Sequence, residues 1–168
     1  IGSKQKEIYD KHINDLITSN TIKDKQKNFS YAALSTPSQL LNISYPSEDR
    51  DIKYHYGEKG LKEIMDFKKS QKYGFNEFEY KKGYEGFFKS EKLKEWSGKI
   101  PKIIEEIKRS EGIILVYSQY IAGGCIPMAL ALEEAGYTKR LGKEIKSIFK
   151  TSPDVDSKGQ YIMITGQT

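Results

Sequence analysis

The chain has 168 residues and a mass of 19.3 kDa, enough for one ordinary domain, and only 37% of it is hydrophobic against 30% charged. That apolar share is below the globular average and favours an open arrangement, and the longest apolar run, Ile113–Val116 leading into Tyr117, excludes a membrane span or anchor. A net charge of +5, carried almost wholly by lysine, permits a polyanionic partner; lysine meets phosphate as a point charge, so backbone contact is favoured over base reading.

Ile8, Tyr9, His12, Ile13, Leu16 and Ile17 recur with Gln5 at helical spacing and predict a first helix over Lys4–Ile17. The opening residues Ile1-Gly2-Ser3-Lys4-Gln5 hold neither a Met nor an apolar signal core, which predicts an excerpt of a longer protein. Thr21–Ser30 is polar, lysine-rich and aperiodic and reads as a linker. Tyr31, Leu34, Leu40, Leu41 and Ile43 predict a second helix, broken at Pro37 and ending by Tyr45-Pro46, where proline enforces extended geometry. Ser47–Gly60 reads as a loop, Leu61–Phe67 as a short helix, and Gln71–Gly86 as an irregular insertion. Its aromatics, with Phe87 and Phe88, are better explained by packing on the core than by base stacking.

Ser90 opens a short helix through Leu93 to Trp96, and Ile100, Ile103, Ile104 and Ile107 define another, ending at Glu111-Gly112. The pattern then changes. Ile113–Tyr117 is a continuous β-branched-rich run, as in a strand buried on both faces of a parallel sheet. Ala122-Gly123-Gly124 predicts a tight turn, Met128–Ala135 a helix closed by Gly136, Thr138–Phe149 a further helix, Thr151–Gln160 a loop, and Tyr161–Ile164 a second buried strand. Strand, helix and strand predict a βαβ unit, and two strands are too few to form a doubly covered sheet, so the expected lobe is incomplete. The expected fold class is α/β, with the two parts divided at 1–96 and 97–168.

Chemistry-bearing residues gather after Tyr117. Ser118 offers a hydroxyl, Gln119 an amide, and Gly123 and Gly124 allow close backbone approach, at the strand end where open α/β sheets place ligands. A phosphate group is the natural guest; the plain alternative is a structural strand-to-helix turn. Cys125, the single cysteine, excludes an internal disulfide and a cysteine zinc site and suits a reducing, intracellular compartment. A phosphatase-type cradle needs Arg where Ala131 stands, so Cys125 reads as structural. Gly136 with Gly142-Lys143 has the wrong spacing for an ATP-binding P-loop, and Glu144 occupies the required Ser/Thr position. His12 and His55 have no ligand-like neighbours and read as solvent or packing residues.

Ser97-Gly98-Lys99-Ile100, the helix after it, and Gly112–Gly136 with its Tyr-Ser-Gln-Tyr-Ile, Gly-Gly and Ala-Leu-Ala-Leu-Glu-Glu-Ala-Gly-Tyr resemble the opening of the second RecA-like lobe in superfamily 2 helicases. The likeness is to the DEAD/Swi-Snf-like helicases of large or giant DNA viruses. Gln5, Tyr9 and Asn28–Pro37 resemble the connector between the two lobes of those proteins, and Tyr161–Gly166 a later strand of the second. The resemblance implies a nucleic-acid-dependent ATPase in which Ser118, Gln119, Gly123, Gly124, Thr165 and Gly166 face the DNA or RNA backbone. It implies ATP and Mg in the parent protein, with no cofactor in this chain, a first ATPase lobe as partner, no membrane, and a place in the host cytoplasm or virion. The P-loop, acidic magnesium motif and arginine finger are missing from the chain, which is therefore expected to be inactive alone. The alternative is a non-catalytic protein-interaction module on a small α/β scaffold; a small phosphate-ligand enzyme fits least, since no base, nucleophile or metal cluster accompanies Ser118.

Overall fold

A computed structural model describes residues 1–18, 31–69 and 76–166. The stretch read as a linker, Thr21–Ser30, lies outside them, as do Gln71–Phe75 of the insertion and Asn28–Ser30 of the connector resemblance. Helices α1 (Ser3–Thr18) and α2 (Tyr31–Asn42) form as their periodicity predicts, and α2 runs through Pro37 to Asn42 instead of breaking there. Proline removes one helical hydrogen bond. The far end of α2 is held by other contacts: Leu40 and, just beyond the helix, Ile43, Ser44 and Tyr45 have no exposed surface.

Those contacts form a buried polar seam. The Gln5 side-chain carbonyl accepts the Gly2 and Gly98 amides, both at 2.9 Å, and its Nε2 donates to the Leu40 carbonyl at 2.8 Å. Ser97 Oγ donates to the Asn42 carbonyl at 2.6 Å and accepts the Ile100 amide at 3.1 Å. Ser44 N–H donates to the Trp96 carbonyl at 2.9 Å. Gln5, Ser44 and Ser97 are all fully buried, so each bond replaces one that water would otherwise supply.

The segment read as a loop contains a 3-10 turn at Ile52–Tyr54 and the start of α3 (Gly57–Ile64). His55 Nδ1 and Nε2 lie 2.9 and 3.0 Å from the carbonyls of Tyr45 and Asp49. The short helix expected to reach Phe67 ends at Ile64, and β1 (Met65–Lys69) follows, pairing antiparallel with β2 (Asn76–Tyr80) inside the segment read as irregular. Phe67 stands opposite Phe78 with ring centroids 5.0 Å apart, a cross-strand pair that outweighs the helical reading.

Phe78, Phe87 and Phe88 are buried in the main core with Leu61, Leu93 and Ile104, as the packing reading expects. Trp96 packs on this core 5.9 Å from Phe87, between α4 (Ser90–Leu93) and α5 (Ile100–Arg109). The same cluster takes in α6 (Ile126–Glu134), buried along most of its length, so one core joins residues from both parts of the chain.

Beyond α6 the expected helix over Thr138–Phe149 is replaced by β3 (Tyr137–Leu141) and β4 (Glu144–Ile145), an antiparallel hairpin. Gly142 takes φ of 60° at the first central position of its two-residue turn, the conformation primed hairpin turns require. Further on, β5 (Gly159–Tyr161) pairs parallel with β3, giving the order β4-β3-β5. The chain is therefore of mixed α/β class, with helices and, among the described residues, two small sheets. The expected βαβ unit does not form among the described residues: the parallel partner of β3 is β5, and the connection between them contains β4 and a loop without a helix.

Glu133 ties this sheet to the core. It is 3% exposed and accepts the Ile148 amide at 3.0 Å, the Tyr161 hydroxyl at 2.9 Å and the Ser147 hydroxyl. Burial pushes its carboxyl above the usual range while these bonds work the other way; burial also lowers the Lys139 ammonium, opposed by the Glu133 charge. A carboxyl raised on folding favours the folded state less as pH climbs from its unfolded value through its folded one. Glu133→Gln is expected to remove that decline, giving a flatter stability profile as pH rises above about 4 in urea unfolding. Tyr161→Phe is expected to cost ~1–3 kcal/mol, because it leaves a buried carboxyl oxygen of Glu133 without its hydroxyl donor.

Candidate functional site

The run expected to be a doubly buried strand is extended, unpaired and open. Ile113, Leu115 and Tyr117 are 84% exposed or more, and Ile114 and Val116 are 42% and 43% exposed. None of these five backbone N–H groups has a hydrogen-bond partner among the described residues. Branched side chains favour an extended backbone, but a strand also needs a free edge to pair with. Both edges of β3, the strand that α6 leads into, are taken by β4 and β5. The second expected strand shortens likewise: pairing ends at Tyr161, and Ile162 and Ile164 are 67% and 84% exposed.

After Tyr117 the chain folds tightly onto itself. Ser118 Oγ accepts the Tyr120 amide and donates to the Tyr120 carbonyl, both at 3.2 Å. The tight turn expected at Ala122–Gly124 is a five-residue π-helical turn, Ile121–Cys125, continuous with α6. Gly123 and Gly124 are buried. A Cβ on Gly124 would overlap the short Ser118 side chain, and one on Gly123 would lie 2.6 Å from Gln39 Oε1, which would have to swing aside. Pro127 occupies the first turn of α6, where its missing N–H costs nothing.

Ser118, Gly123 and Gly124 are thus brought together, with Gln119 exposed on the same turn. Thr165, half-buried, and Gly166, exposed, belong to a separate segment, the extended run after β5. The half-buried Ser118 hydroxyl is engaged within the turn, so the surface this region presents depends on its neighbours as well. Asn42, at the end of α2, donates from Nδ2 to the Gly123 carbonyl at 3.3 Å and accepts Lys99 Nζ at Oδ1, 3.1 Å away. Gln39 and Asn42 were not legible as site residues: α2 meets the turn across more than 80 residues of chain, and only the glycine pair hints that something packs closely there.

Cys125 donates to the Ser118 carbonyl at 3.8 Å, and burial pushes its thiol up, the opposite of what a nucleophilic thiolate needs. A concavity of about 560 Å³ elsewhere is lined by Lys89, Lys108 and Lys158 together with Glu91, Glu134, Asp154 and Asp156. Its carboxylates outnumber its lysines, and it contains none of the candidate phosphate-contact residues. No helix among the described residues is long and apolar enough to cross a membrane. No family model, curated protein or solved structure matches the chain.

Gly124→Ala is expected to cost ~1–3 kcal/mol in urea unfolding by overpacking the turn, and Ser118→Gly in the same chain to recover part of the loss. In hydrogen–deuterium exchange, the amides of residues 113–117 are expected to exchange at close to unprotected rates while those in the buried body of α6 remain slow.

Proposed function

We propose that this chain is part of a nucleic-acid-dependent ATPase of the superfamily 2 helicase type, supplying an interlobe connector and the start of a RecA-like second lobe. Its share of the work is to hold the backbone of a DNA or RNA strand; ATP, Mg and the other ATPase lobe belong to the parent protein. The residues present do not fit ATP, since the chain has no P-loop, and no step of hydrolysis is assigned to it. The observation that carries the reading is the succession of an extended apolar run, a glycine turn locked against α2, and a buried helix, with a lysine tied to the turn. Hydroxyl, glycine pair and helix follow one another in the order of the resemblance, although the run before them pairs with no strand among the described residues, and the lysine-borne charge of +5 suits a phosphate backbone. An intracellular setting in a virus-infected cell or virion follows from the same resemblance.

The exposed run Ile113–Tyr117 also favours a second reading, a non-catalytic module that offers this segment to the sheet edge of a protein partner. The two readings part on nucleic acid. In a fluorescence titration with labelled single-stranded oligonucleotides, the first expects binding that weakens steeply with salt, and no ATP turnover by the chain itself. Salt-insensitive or absent binding counts for the interaction module, and ATP turnover by this chain alone would refute the division of labour.

A further inference from the structure

We infer that Lys99, held by Asn42 on the Ser118 turn, is a contact to a backbone phosphodiester of the bound strand. The inference rests on the nucleic-acid reading of that turn and adds the cation the turn otherwise lacks. Ser118 spends its hydroxyl on Tyr120, and the Cβ-side space of Gly123 and Gly124 is filled by Gln39 and Ser118. None of these groups carries a positive charge. Lys99 does, and it is exposed.

The way Lys99 is held distinguishes it from most lysines with a described contact. Lys6, Lys53, Lys62 and Lys150 face carboxylates, which cancel their charge locally. Lys99 has no carboxylate partner among the described residues and instead donates one hydrogen bond to a neutral amide oxygen. An ammonium has three donors, so two remain for a ligand while the full charge is kept. Asn42 fixes the direction: with Nδ2 committed to the Gly123 carbonyl, Oδ1 is the atom left to meet Lys99. Asn42 is therefore a positioning residue. Its Nδ2 and Ser118 Oγ both lie within 4 Å of the point a Cβ on Gly124 would occupy, so the tether and the turn share one spot. A tetrahedral anion suits a lysine of this kind, since phosphate needs a point charge and no planar fork.

The test is a salt series of single-stranded oligonucleotide binding by the whole chain, repeated for Lys99→Ala, Lys99→Arg, Asn42→Ala and, as a control, Lys68→Ala on exposed β1. Lys99→Ala is expected to weaken binding roughly three- to tenfold at moderate salt and to flatten the log K against log salt slope by about one phosphate's worth, ~0.7 for a single strand. Lys99→Arg restores the slope. Asn42→Ala weakens binding with the slope near the parent value, because the charge stays and only its placement is lost. Lys68→Ala leaves both within twofold. If the parent chain binds and Lys99→Ala keeps its slope, or Lys68→Ala flattens it equally, the assignment is overturned while the strand-binding reading stands; a parent chain that binds no oligonucleotide overturns both. Millimolar inorganic phosphate or ATP should leave oligonucleotide binding in place; displacement by either would make this a site for a free phosphate and overturn the phosphodiester assignment. Lys99 lies on the surface, so its variants keep the test decisive even if Asn42→Ala fails to fold.

Discussion

The carboxyl end of α2 is the constraint on which the rest of the molecule depends. Within three residues it presents the Leu40 carbonyl to Gln5, the Asn42 carbonyl to Ser97 and the Asn42 side chain to both Gly123 and Lys99. The last carbonyls of a helix have no partner within it, and a buried helix end without outside donors is costly. Here the donors are Gln5 of α1 and the Ser44 hydroxyl, both to the Leu40 carbonyl, and Ser97 of the turn before α5, to the Asn42 carbonyl. The helix end, α1 and the turn before α5 therefore form one unit, and loss of the Ser97 hydroxyl leaves the Asn42 carbonyl stranded at a cost on the order of 1–3 kcal/mol. The Asn42 amide joins the glycine turn to that unit, which makes the proposed contact surface an extension of the fold's own polar seam.

An opposite condition holds for Ile113–Tyr117. Five apolar residues with both edges and both faces open lack the pairing and burial that stabilise a strand. In the same molecule Phe67 and Phe78 make a strand pair from a less regular sequence, because each finds an edge and a core beneath it. β3 offers no edge, and the run pairs with none of the described strands. It is left open to a sheet from elsewhere, which each proposed reading would supply: one as another part of a lobe, the other as a partner's edge strand.

What could be read from the sequence follows from how local each signal is. Helices α1, α5 and α6 were legible because their apolar spacing and their stops lie within the elements themselves. The aromatic packing of Phe78, Phe87 and Phe88 was legible because large rings seldom stay in water. The β3–β4 hairpin was not, although Tyr-Thr-Lys-Arg-Leu before Gly142-Lys143 carried the alternation and the turn, since the lysines and leucine also fit a helix. At the site, Ser118, Gly123 and Gly124 were legible as a turn. The roles of Asn42, Gln39 and Lys99 depend on long-range packing of α2 that no local pattern encodes.

Charge is used in two ways in this chain, and the difference explains why the proposed contact sits at Lys99 and not at Lys139. Lys139 and Glu133 are both buried, each shifted by burial toward its neutral form, and Glu133 is surrounded by donors that hold the sheet to α6. A charge so placed has spent its field on architecture, and approach of a strand would require opening the core. Lys99 remains in solvent, where an ammonium keeps its hydration until a phosphate replaces part of it, and its amide tether limits the freedom lost at that moment. The tether thus lowers the entropic cost of binding without lowering the charge, a combination that an ion pair with a carboxylate would not provide.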